Sequence, residues 1–234
     1  MIPFYPIFDP TYILVIVGLL ISMAASAYVK STFNRYDEVK TKNNVTGTQA
    51  AQYILKKENI HDVGVQQIAG DLTDNYNSRD KMLSLSQSTG QSTSVAAIGV
   101  AAHECGHAVQ DDKNYIPLKI RAAIVPVANI GSTAAFPLIL LGVLFSWNQT
   151  LINVGIFAFS FALLFQLVTL PVEFNASRRA IKILSEGNLL TAEEVPMAKK
   201  VLFAAALTYV AAALATFLQL LRLIILFGGN NRRN

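Results

Sequence analysis

His103-Glu104-Cys105-Gly106-His107 places two of the chain's three histidines four residues apart. On a helix, positions i and i+4 lie one above the other on one face, so both imidazoles can reach a single metal ion. Glu104 stands about 100° further round, where its carboxylate can face a water held by that metal. Two imidazoles and a carboxylate suit Zn²⁺, and a catalytic zinc keeps its fourth position open for water. With three His and seven Glu in 234 residues, chance supplies this five-residue pattern roughly 0.001 times. Cys105 falls about 200° from His103, off the ligand face, and reads as a small packing residue in a reducing compartment.

The elements that must position these residues are set by where the charge is missing. The chain is 53% hydrophobic and only 15% charged, which excludes an ordinary soluble domain, a disordered chain and, with its one Cys, a disulfide scaffold. Residues 122–172 hold no Asp, Glu, Lys, Arg or His. That run is too long for one span and fits two spans of about 20 residues joined by a tight turn. Two further apolar runs, 12–29 and 201–221, bring the expected spans to about four.

The basic residues then set orientation. Of 19 Lys and Arg, none lies in 1–29, eleven lie in 30–121, none in 122–171, five in 172–200 and three in 201–234. Because Lys and Arg accumulate in short cytoplasmic loops, five segments are expected. A transmembrane anchor over 1–29 is followed by a cytoplasmic segment over 30–121 and a transmembrane hairpin over 122–171. A second cytoplasmic segment over 172–200 precedes a last span and tail over 201–234. Ala25-Ser26-Ala27 resembles a signal-peptide cleavage site, but no basic stretch precedes the apolar run, so a retained anchor is expected. Arg222 interrupts the last apolar run; it either snorkels to an interface, or the helix ends early and the tail, with Arg232 and Arg233, lies along the membrane. The pI of 9.2 follows from the basic loops and calls for no nucleic acid.

Within 30–121, Thr46-Gly-Thr-Gln49 has capping-box spacing ahead of Ala50, Ala51, Ile54 and Leu55, which predicts a helix over 47–58. Residues 63–85 read as an antiparallel hairpin or meander, with 75–80 as its turn cluster and Lys81–Leu85 as a strand able to pair with an extended substrate. Ser92-Thr93-Ser94 offers an N-cap for a helix running from Val95 to at least Gln110, too short in its apolar part to cross a membrane.

A third ligand is expected on the same side, near a helix start. Segment 172–200 qualifies, since two spans return the chain to the same face. There Glu173 follows Pro171 at the mouth of an uncharged span, where a carboxylate is costly without a partner. A metal would provide one; so would snorkelling to water, or pairing with Arg178 or Arg179. Asp111 and Asp112 are rival ligands at the end of the histidine helix. His61 reads as a surface or loop residue.

His103-Glu104-Cys105-Gly106-His107, with Glu173-Phe-Asn-Ala-Ser-Arg-Arg-Ala180 after two spans, resembles the neutral zinc metallopeptidases of bacterial membranes, the YugP-like proteins. The resemblance covers nearly the whole chain, including residues 206–213 in the last span. A more distant similarity is to the HtpX-type and CAAX-prenyl-type membrane zinc endopeptidases. Those carry Glu-x-x-Ala-Asp, in which the Glu is the third zinc ligand and the Asp supports a ligand histidine. The resemblance implies a mostly α membrane protein with a small cytoplasmic α+β zincin-like domain split around spans two and three. It also implies a Zn²⁺ cofactor held by His103, His107 and Glu173, with Glu104 as general base for peptide hydrolysis. Ser177 replaces the Asp and makes a weaker hydrogen-bonding partner, so which group orients a ligand histidine is left open. No histidine follows His107, so Arg178, Arg179 or Tyr209 would have to stabilise the oxyanion. The expected partners are a peptide or membrane-protein substrate and the lipid bilayer.

Three other classes fit less well. A scaffold with structural zinc would need a fourth protein ligand that is hard to assemble here. An intramembrane protease would need the His helix to span. A metal transporter would carry polar ligands in mid-membrane, where both apolar stretches have none.

Overall fold

Apolar transfer energy and helix capping, the two forces legible in the chain, account for most of the elements in a computed structural model, which describes residues 9–228. Seven helices and three strands alternate along them: α1 Tyr12–Asp37, α2 Gly47–Lys57, β1 Gly64–Ile68, β2 Asn75–Asn77, β3 Met82–Ser86, α3 Gln87–Gly90, α4 Val95–Asp112, α5 Ile116–Leu144, α6 Gln149–Glu186 and α7 Val195–Phe227. Four of these, α1, α5, α6 and α7, are long and apolar enough to cross a membrane. Their contacts divide the chain into two units.

Of the described residues, one unit holds 9–25, Ile120–Leu170 and 208–228. Here the 51-residue uncharged run forms two helices joined by the turn 145–148. Small residues bring α5 and α6 together: a Cβ on Gly131 would stand 2.5 Å from the Ala158 carbonyl oxygen, the close backbone approach that Gly permits between apolar helices. The last helix does not stop at Arg222 but runs on to Phe227. Arg222 has a partner, Asp9, at 3.1 Å, and its guanidinium stacks 4.1 Å over the Tyr12 ring. Arg232 and Arg233 lie outside the described residues.

The other unit, Ser26–Lys119 with Pro171–Leu207, carries His103, His107 and Glu173. Thr46 and Gln49 make both bonds of the capping box that starts α2, which buries Ala50, Ala51, Ile54 and Leu55. Ser94 caps α4 through the Ala97 amide at 3.0 Å and donates to Asp37 on α1 at 2.5 Å. Asn43 donates to the carbonyls of Asn188 and Leu189 at 2.7 and 3.2 Å, so the two charged segments meet directly.

The strands depart from a meander. Their order is β1-β3-β2, with β1 parallel to β3 and β2 antiparallel to it. Burial explains the order. Leu83 and Leu85 are fully buried, so β3 takes the centre, and the short polar Asn75-Tyr76-Asn77 protects an edge. Asn75–Asn77 therefore belong to a strand rather than a turn, and β3 has both edges occupied over Met82–Ser84. Over that stretch no edge is open for the pairing with an extended substrate that the linear pattern suggested.

The helix carrying the third span also departs from expectation. It does not end with the apolar run but continues to Glu186, and Glu173 lies well inside it rather than near a helix start. Pro171 has no N–H to donate, yet Val172, Ala176, Ala180 and Leu184 form a fully buried stripe at four-residue intervals. Burial of that stripe holds the helix through the proline.

Candidate metal centre

The helical spacing of His103 and His107 sets their rings 4.8 Å apart, edge to face. What completes the group is the approach of α6 to α4. A Cβ on Gly106 would lie 2.6 Å from the Ala176 carbonyl oxygen, so glycine between the histidines is what lets the α6 backbone come this close. That approach brings Glu173 in. Its Oε2 lies 3.2 Å from His103 Nε2 and 3.5 Å from His107 Nε2, and one ligand atom from each of the three residues falls within 4.8 Å of the others. Glu173 is only 2% exposed, which removes the reading of a carboxylate snorkelling to water.

The donor set fits a small cation. Two atoms each about 2.0–2.1 Å from a tetrahedral zinc stand about 3.4 Å apart, close to the separations observed. The outward nitrogens are engaged elsewhere. His103 Nδ1 lies 3.1 Å from Ser177 Oγ, so the serine that replaces the expected Asp touches the first histidine. His107 Nδ1 lies 3.0 Å from Gln110 Oε1. Gln110 is fully buried, and its amide nitrogen donates to the Val172 carbonyl at 2.8 Å and to Asn175 Oδ1 at 3.0 Å. With its nitrogen committed, Gln110 presents oxygen to His107, which must donate from Nδ1 and leave the Nε2 lone pair facing Glu173.

Electrostatics agree with that donor set. Burial disfavours a charged His107, but the hydrogen bond that the charged ring donates to Glu173 and the negative charges of Glu104 and Glu173 outweigh it, leaving the ring more basic than an ordinary imidazole. A field that favours a proton there also favours a cation. Glu104 itself is half-buried and outside the three-residue group. Burial pushes the Cys105 thiol up, and its Sγ faces the Ala51 carbonyl, consistent with packing rather than ligation.

The other candidates have different settings. Asp111 accepts from Lys81 at 2.7 Å and from Tyr76 at 2.8 Å, and Asp112 pairs with Lys113; neither joins the histidines. Arg179 donates to Asn175 at 2.8 Å and so backs the Gln110 brace. Arg178 lines a cleft between α6 and α7. Tyr209 belongs to the other unit, and His61 is exposed and apart from the group. Sequence reasoning missed Gln110 and Asn175. Gln110 does carry a local signal, a polar residue three positions after His107 on the same face of an otherwise small and apolar helix.

The chain is similar to known proteins along almost its entire length. Residues 11–228 match the family model described as "Putative neutral zinc metallopeptidase". The chain is 44% identical over 215 residues to "Putative membrane protease YugP" of Bacillus subtilis (strain 168), covering 92% of this chain and 95% of that protein. No solved structure matches it at a significant level. A match that begins one residue before α1 and ends one residue after α7 takes in the His-Glu-x-x-His helix, Glu173 and all four apolar helices, and the chain belongs to this neutral zinc metallopeptidase family.

Proposed function

We propose that this protein is a membrane-bound zinc metalloendopeptidase with a gluzincin-like ligand set, His103, His107 and Glu173, and with Glu104 as general base. The observation that carries the reading is the convergence of three donor atoms from two helices beside an adjacent half-buried carboxylate. Zinc, when bound, supplies a Lewis acid that polarises a peptide carbonyl and lowers the pKa of water to about 7. Glu104 takes a proton from the attacking water and delivers it to the leaving amine, which spares the reaction a free hydroxide and an amide anion. Ser177 and Gln110 fix the two rings so that neither has to reorient as charge develops. A catalytic role is favoured over a structural one because the group holds three side chains among the described residues, whereas structural zinc closes its shell with four. The purified full chain should contain one zinc per molecule and cleave an unstructured reporter, and both properties should vanish on chelation and return with zinc. Stoichiometric zinc with no cleavage would favour the alternative, a membrane scaffold that keeps a zinc site.

In this reading the site unit, a zincin-like α+β domain split around spans two and three, faces the cytoplasm. The weight of Lys and Arg in 30–121 and 172–200 supports that orientation. Single cysteines introduced at the exposed positions Asp71 and Ala192 should be shielded from an impermeant thiol reagent on intact cells, and one at Thr150 should be labelled. Cys105, buried and with its thiol pushed up, gives a silent background. The reverse pattern would place the site outside.

A further inference from the structure

The site unit contains a cleft of about 310 Å³ that the proposed chemistry does not use. Phe174, Arg178 and Ile181 line it from one face of α6, and Lys199, Leu202 and Phe203 line it from one face of α7. Arg178 and Lys199 are exposed, and among the described residues neither takes part in an ion pair. Phe174 and Phe203 are also exposed, by 38% and 54%.

Position along the helices gives these four side chains an order. On α6 the uncharged run ends at Val172, so Phe174 lies two residues beyond it and Arg178 a further turn away. On α7 the uncharged run begins at Val201, so Phe203 lies just inside it and Lys199 a turn earlier. On both helices, therefore, the exposed aromatic lies nearer the apolar run and the unpaired cation a turn further from it. Aromatic and apolar walls on the hydrocarbon side with cations at headgroup level complement a phospholipid. Arg presents a planar fork to phosphate oxygens and Lys a point charge.

From this gradient we infer that the cleft is a binding site for an anionic phospholipid of the surrounding membrane, with its phosphate between Arg178 and Lys199 and an acyl chain along Phe174 and Phe203. Ser177 also lines the cleft while its Oγ contacts His103, so the lipid lies against a residue that braces the candidate metal centre. The inference concerns lipid binding alone and stands whether or not the protein hydrolyses peptides.

The test uses the full chain in nanodiscs of equal phosphatidylcholine and phosphatidylglycerol, with retained lipids counted by native mass spectrometry. The parent protein should retain phosphatidylglycerol in roughly thirtyfold preference, the scale expected of two interfacial cations. Arg178→Gln/Lys199→Gln should lose that preference, whereas Lys56→Gln/Lys57→Gln, which removes two exposed cations elsewhere, should keep it. Phe174→Ala/Phe203→Ala should retain less of either lipid. Equal loss in the two charge variants would mean diffuse surface attraction and overturn the site. So would unchanged preference in Arg178→Gln/Lys199→Gln. Displacement of the lipid by excess glycerol phosphate would assign the cleft to a free phosphate instead. Unchanged lipid retention, coupled with loss of acidic-peptide binding in Arg178→Gln/Lys199→Gln, would assign it to a peptide.

Discussion

Glu104→Gln is expected to reduce hydrolysis of an unstructured reporter by at least about a hundredfold, and by up to about ten thousandfold, while leaving zinc content and fold nearly intact. The range is that of a positioned general base. The amide keeps the shape of the side chain and its place beside His103 but cannot accept and return a proton. Because Glu104 lies outside the group of three donor atoms, its replacement removes no ligand. One charge near His107 is lost, and with it part of the cause that keeps the ring more basic than usual, so zinc affinity should fall only modestly. Zinc per chain and turnover, measured on the same preparation, separate the two effects. Retained turnover would exclude Glu104 as the base, and loss of stoichiometric zinc would make it a ligand.

Glu173→Ala should do the opposite, removing the metal first and activity in consequence. It takes away the carboxylate that, among the described residues, approaches both Nε2 atoms, leaving two imidazoles on one helix turn. Changing a residue behind a ligand typically costs ten- to a hundredfold in metal affinity, so loss of a ligand itself should exceed about a hundredfold. Gln110→Leu supplies the comparison. It removes the acceptor for His107 Nδ1 and the donor to the Val172 carbonyl, and its zinc affinity should fall between those of the parent and Glu173→Ala. Zinc at one hundred times its dissociation constant stabilises the state that binds it by about 2.7 kcal/mol. The parent should gain thermal stability with added zinc, Gln110→Leu less, and Glu173→Ala almost none. Equal zinc content and equal zinc-dependent stabilisation in the parent and Glu173→Ala would mean that the carboxylate is not a ligand.

The features readable in the chain are those whose physics acts over a few neighbouring residues. Helical periodicity alone puts His103 and His107 on one face, a cap sets the start of α4, a capping box starts α2, and the cost of burying charge marks the four long apolar helices. Each depends on spacing or composition within one element, so linear order suffices. Glu173 was reachable by parity of spans and by resemblance, but its setting in mid-helix was not. A proline and the end of an apolar run both read as a stop, and only the buried stripe from Val172 to Leu184 overrides them. The centre of the sheet went to β3 for a similar reason. Which strand lies inside depends on what covers Leu83 and Leu85, and alternation along the strand does not carry that information. The same holds for the contacts that finish the site. Ser177 meets His103 across 74 positions, and Gln110 meets Val172 across 62. Those pairings depend on how far α6 slides and turns against α4, which is fixed by the absence of a single Cβ at Gly106 facing the Ala176 carbonyl. Local rules place the candidate ligands on their elements; the closeness of two packed backbones decides which atoms they bring together.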